Sequence, residues 1–266
     1  SRVAELEADR NINLELFPST KVGEILMNNR PELLDGTPNP LSSLQVRQAL
    51  NYATDKEALI QLVTFGTGTP MRSYMSSTTP LFAPQPMYPY DPEKAKALLE
   101  EAGYGDGFEV SVLSIAGNAD DAALLTAVQQ MWANVGVTLK IEQVDAATRT
   151  ARYRANDFQM RTGAWTNDIN DPSQITSYFA IYEVVESLHT GFQSDEIEAL
   201  FAESQQELDV DARGELYRQI QEIYTQAAPF VFLYETPYPV ALRKNVQGFY
   251  QLPLGQNLFY GAYFTE

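Results

Sequence analysis

The sequence predicts an α/β domain, a mixed and largely parallel sheet with flanking helices. Two observations carry that prediction. Between residues 108 and 165 short alternating runs take turns with helix-period runs, the pattern of parallel strands joined by right-handed crossovers. Elsewhere the chain carries helices with readable starts, the clearest at Asp91-Pro92-Glu93.

In chain order, Ile12, Leu14 and Leu16 alternate with polar neighbours and predict a half-buried strand, and Ile25-Leu-Met27 predicts another. Pro31, Gly36, Pro38 and Pro40 mark a loop. Val46, Ala49, Leu50 and Ala53 fall on one helical face. A second helix follows Thr54 or Asp55, carries Leu59, Ile60 and Val63, and stops at Gly66 and Gly68. Residues 67–90 hold five prolines and no period, so they read as a long extended connection. Asp91 caps a helix whose buried stripe is Ala95, Leu98, Leu99 and Ala102, closed by Gly103.

Phe108, Val110 and Val112 then predict a strand. An amphipathic helix through Leu124, Val128 and Trp132 ends at Gly136. Val137, Leu139 and Ile141 make the next strand, 146–155 a short helix, and Phe158 to Ala164 a third strand ending at Trp165. Ser194 and Asp209 or Asp211 start two further helices. Phe230 to Tyr234 is a short buried strand, and the tail 235–266 is rich in aromatics.

Composition limits function. The chain has 266 residues, 35 Asp+Glu against 18 Lys+Arg, a net charge of −17, one His and no Cys. The absence of Cys removes disulfides, a thiol nucleophile and thiolate metal sites. A surface of this sign repels phosphate backbones and anionic lipid heads, so neither nucleic acid nor membrane insertion is expected. The first residues lack the basic and apolar regions of a signal peptide, which fits either a cytosolic protein or a processed or trimmed piece. No motif asks for a cofactor: GxGxxG, Walker and GxSxG patterns are all missing.

In α/β sheets ligands gather beyond the carboxyl ends of the strands, which points to the segment Gly163-Ala-Trp-Thr-Asn-Asp-Ile-Asn-Asp-Pro-Ser173. Asp171-Pro172 reads as a helix N-cap and first turn. Asp168 has two readings, a solvated turn carboxylate or a group holding a cation beside the Trp165 indole. A calcium site from Asn167, Asp168, Asn170 and Asp171 lacks the EF-hand spacing, its glycine and its terminal Glu. An acid/base hydrolase using Asp168 and Asp171 stays as a further alternative. His189 has no partner at a motif spacing and reads as a surface or turn residue, and Arg161 has two readings, a carboxylate-binding group or, favoured, a solvent-facing side chain.

The order of several segments carries a resemblance. Val46 to Ile60, Gly66-Thr-Gly-Thr-Pro70, Tyr90 to Tyr104, Trp132 to Leu139, Trp165 to Pro172, Ala228 to Tyr234 and Val246-Gln-Gly-Phe249 together resemble the extracellular solute-binding proteins, family 5, of dipeptide, oligopeptide and nickel ABC transporters. The match runs from about residue 3 to the end but covers only the C-terminal half of the family pattern. The resemblance implies a type II periplasmic binding protein-like lobe, no enzymatic activity, and capture of a peptide or similar small solute for ABC permease subunits. It implies a periplasmic or extracellular location, lipid-anchored or secreted, and a monomer. In the family's W-x-x-D-x-x-[DE]-P pattern the Asp pairs with the ligand's ammonium, and here that residue is Asp168. Trp165, Thr166 and Asn167 would line the ligand, with Tyr178 beside them. An oligosaccharide, opine or metal chelate is an alternative ligand within the same family. The implied organisation is an inter-lobe segment at 1–40, a ligand-binding lobe at 41–235, and a segment at 236–266 returning toward a second lobe.

Overall fold

The computed structural model describes residues 3–266. The elements run α1 (Val3–Glu7), β1 (Ile12–Phe17), β2 (Val22–Met27), α2 (Leu44–Tyr52), α3 (Lys56–Val63), β3 (Thr69–Pro70), α4 (Pro92–Glu101), β4 (Phe108–Ile115) and α5 (Ala119–Ala133). They continue with β5 (Val137–Val144), α6 (Ala146–Arg154), β6 (Met160–Trp165), α7 (Pro172–Ala180), α8 (Tyr182–Val185), α9 (Asp195–Ser204), α10 (Val210–Ala227), β7 (Phe230–Glu235) and β8 (Tyr238–Arg243). The helix starts are chemical. Asp91, Asp171, Ser194 and Asp209 each accept a hydrogen bond from a backbone N–H of the first turn.

Six strands form one mixed sheet in the order β3-β7-β2-β6-β4-β5. The expected alternation is present: β4 pairs in parallel with β5 and with β6. The other half is antiparallel, because β2 runs against both β6 and β7, and β3 against β7. One face packs on α2 to α5, with Leu50, Trp132 and Val231 among its buried residues. The other packs on α7, α9, α10 and the segment 71–88, around Tyr74, Phe179, Tyr217 and Phe230. Each such side chain contributes roughly 1.5–3 kcal/mol when fully buried.

Three expectations change. The lobe does not begin at residue 41, because β2 sits inside the sheet with all six residues buried. A strand buried on both faces and paired on both edges belongs to the sheet. The segment 67–90 is extended but far from a surface connection, since Met71, Tyr74, Met75 and Tyr88 enter the core at irregular spacing. In β1 the apolar residues do not face inward as an alternating set. Leu16 is exposed while Phe17 is buried, with its ring against Phe249 and Tyr250. The reason is that among the described residues β1 pairs only with β8, in a two-stranded ribbon outside the main sheet.

Candidate functional site

β6 carries the site outward. It pairs with β2 along its whole length, from Met27 opposite Met160 to Val22 opposite Trp165. Against β4 it pairs only at Met160 and Arg161. Beyond Arg161 the two parallel strands part, so residues 162–165 present one backbone edge with no strand beside it among the described residues. Thr162 is partly occupied there, its carbonyl accepting from the Arg149 guanidinium. The gap opens into a cavity of about 330 Å³ lined by Thr162, Gly163 and Ala164.

Trp165 ends the strand half-buried, its ring 4.9 Å from that of Tyr178 and 5.5 Å from that of Phe179. Tyr178 thus backs the indole. Thr166 is half-buried beside it. Asp168 is exposed, and Gln174 fixes its position. Gln174 Oε1 accepts from the N–H groups of Asp168 (2.7 Å) and Ile169 (3.1 Å), while its Nε2 donates to Asp168 Oδ2 at 2.9 Å. Among the described residues the other carboxylate oxygen of Asp168 has no hydrogen-bond partner. Gln174 escaped sequence reasoning, although Asp171-Pro-Ser-Gln174 has the capping-box spacing that sends the third side chain back over the helix start.

Asn167 has a different task from the one expected. It is buried, not lining open space. Its Oδ1 accepts from Trp165 Nε1 at 2.9 Å and its N–H donates to Thr20 Oγ1 at 2.9 Å. It orients the indole from behind.

Asp171 caps α7 as expected, and Arg213 grips its carboxylate with two bonds of 3.0 and 2.9 Å. Partial burial pushes this acid up, but the bonds from Arg213 and Ser173 outweigh it and leave the pKa at about 2. A carboxylate so engaged is neither a proton donor nor a free base, which removes the hydrolase reading. The calcium reading falls with it, since Asn167, Asp168 and Asp171 bond in three different directions. Among the described residues no cluster of three acidic or His side chains is placed to hold a metal.

Arg161 does not face open solvent. Its guanidinium lies 3.9 Å from the centroid of the Tyr153 ring. His189 is the turn residue expected, at φ 58° with Nδ1 bonded to Asn156 at 3.0 Å, near the other end of β6 from Trp165. Glu24 was missed altogether: it is buried on β2 opposite Gly163.

The profile of the bacterial extracellular solute-binding proteins, family 5, matches residues 1–183. The chain belongs to this family. It is 33% identical to heme-binding protein A of Haemophilus influenzae over 98% of its length, and 30% identical to the dipeptide-binding protein of Escherichia coli over 97%. It spans about half of each of these relatives, 47% and 48%. Among solved structures, HbpA2 from Haemophilus parasuis superposes with a TM-score of 0.87 at 30% identity, covering 100% of this chain and 52% of that one. The dipeptide binding protein of Pseudoalteromonas sp. SM9913, in complex with Met-Leu, gives 0.83 at 24% identity, covering 99% of this chain and 52% of that one. The fold is therefore that of a periplasmic binding protein. Solute-binding proteins are receptors, not enzymes, in keeping with the engaged Asp171. Among the described residues no helix is long and apolar enough to cross a membrane.

Proposed function

We propose that this chain supplies one ligand-holding lobe of a peptide-type ABC importer's receptor, periplasmic or extracellular, that passes its ligand to permease subunits. The single observation behind this reading is the pairing of an open strand edge with a fixed carboxylate: among the described residues the edge of β6 away from β2 has no strand partner beyond Arg161, and Asp168 waits just past its end. An extended peptide satisfies both, adding main-chain bonds along 163–165 and placing its ammonium on Asp168. Trp165 supplies an apolar wall with affinity for the cation. The β1–β8 ribbon and the tail, with exposed Phe259, Tyr260 and Phe264, would lead toward a second lobe that closes on the ligand. A heme ligand, as one relative's name suggests, finds less support, because His189 lies away from the site.

Calorimetry with dipeptides, free and N-acetylated, tests this on the protein as the cell makes it. Free dipeptides should bind at least about tenfold tighter than acetylated ones. Asp168→Asn should erase the difference and most of the salt dependence. Equal binding of both forms, or an Asp168→Asn variant that binds like the parent, refutes the proposal.

A further inference from the structure

The cavity beside β6 has a chemistry of its own. Its far wall is the start of α5, where Asp120 and Asp121 follow the N-cap Asn118. Asp121 Oδ2 accepts from Thr162 Oγ1 at 2.9 Å; among the described residues its other oxygen is unbonded and the Asp120 carboxylate, which is exposed, has no partner. Opposite stands Tyr234, at the end of β7 and only 9% exposed. Among the described residues its hydroxyl has no protein hydrogen-bond partner, and it is open to the cavity. Burial, then the charges of Asp120 and Asp121, push that hydroxyl's pKa upward, so it stays protonated and senses both carboxylates. Among the described residues the one basic residue on the lining is Lys21, which is exposed and forms no ion pair with either acid. Arg149 also feels Asp121, but its guanidinium is turned to the Thr162 carbonyl.

An anion entering here would meet two carboxylates. An apolar group would bury them, together with an unbonded hydroxyl, at a cost. A cation would satisfy all three, with the Tyr234 ring as a further surface. We propose that this cavity is a subsite for a cationic group of the ligand, an alkylammonium or guanidinium, with Asp120 and Asp121 as counter-charges and Tyr234 as wall and hydrogen-bond acceptor. The proposal rests on the reading that the ligand lies along β6, and it selects among peptides: those with a Lys or Arg side chain at one position should be preferred.

Two measurements separate this proposal from that reading. First, n-butylamine, agmatine and butyrate are titrated into the protein while the Tyr234 ring resonances are followed by NMR. The amines should shift the ring with dissociation constants on the order of 1–10 mM, and butyrate should not. Asp120→Asn with Asp121→Asn should abolish the shift. Should that pair fail to fold, Asp120→Lys, changing an exposed side chain without a partner, serves in its place. No shift with either amine, an equal shift with butyrate, or a shift that survives the substitutions overturns the proposal. Second, peptides of one length carrying Lys, norleucine or Glu at each position are compared by calorimetry. One position should favour Lys over norleucine by about tenfold, lost in the Asp120/Asp121 variants and kept in relative terms in Asp168→Asn. Peptides that need Asp168 but bind equally with Lys and norleucine everywhere overturn the cationic subsite and leave the peptide reading standing.

Discussion

The carboxylate of Glu24 occupies the space that a side chain at position 163 would need. The two residues face each other across β2 and β6, and a Cβ on Gly163 would overlap Glu24 Oε1. Glycine is required here for space, not for an unusual backbone. Gly163→Ala should therefore destabilise the protein by about 1–3 kcal/mol, measured by urea unfolding. Combining it with Glu24→Ala should cost less than the two separate losses added together. Simple additivity would show that the carboxylate is not what excludes the methyl group.

Glu24 also sets a pH dependence. Burial raises its pKa from 4.5 to about 8, against the pull of Arg161 and Arg149. The folded protein thus keeps a proton that the unfolded chain releases. This contribution to stability is fully present below pH 4.5, falls as pH rises from 4.5 to about 8, and is flat above that. Its size is on the order of a few kcal/mol. Glu24→Gln should flatten the decline in urea-midpoint profiles between these limits. A variant whose profile parallels the parent's would assign the slope to other groups.

What the sequence discloses follows from where each interaction is encoded. Helices capped by their own neighbours, such as those begun by Asp91 and Asp171, are visible because cap and first turn lie within three residues. Strand β2 was only half visible, as Gly23 and Glu24 interrupt its apolar run for reasons that lie across the sheet: Gly23 makes room for the Tyr234 ring, and Glu24 answers Gly163. The buried segment 71–88 has no period because an extended chain crossing a core meets its partners at irregular intervals. At the site, the Trp165–Asp168 spacing is local and legible. The bond from Asn167 to Thr20 and the meeting of Asp121, Thr162 and Tyr234 join residues distant in the chain and leave no local mark.

Asn167 gives the site its stiffness. Asn167→Ala should leave the Trp165 indole N–H without its acceptor and cost about 1–3 kcal/mol of stability. The fluorescence of Trp165, isolated as the difference between parent and Trp165→Phe spectra, should shift to the red as the ring loosens. Peptide affinity should fall while the preference for free over acetylated peptides persists, since Asp168 is held by Gln174 instead. Unchanged emission and affinity would show that ring packing against Tyr178 and Phe179 suffices to place the indole.

The ion pair of Asp171 with Arg213 ties the site loop to α10, and its pH response has the opposite sign to that of Glu24. The folded-state pKa of Asp171 lies at about 2, below its ordinary 3.8, so the stability it adds is present above pH 3.8 and is lost as pH falls toward 2. Arg213→Met keeps the stem of the side chain but removes both bonds to the carboxylate. The carboxyl pKa, followed by carbon NMR, should then rise toward 3.8. The cap of α7 remains, because Ser173 N–H still reaches Asp171 Oδ1 at 2.9 Å. Global stability should drop only slightly, as expected for a pair open to solvent on one side. Amide exchange across 166–171 should quicken, because the loop has lost its tie to the long helix. Unaltered exchange there would locate the rigidity of the site in Asn167 and Gln174 alone.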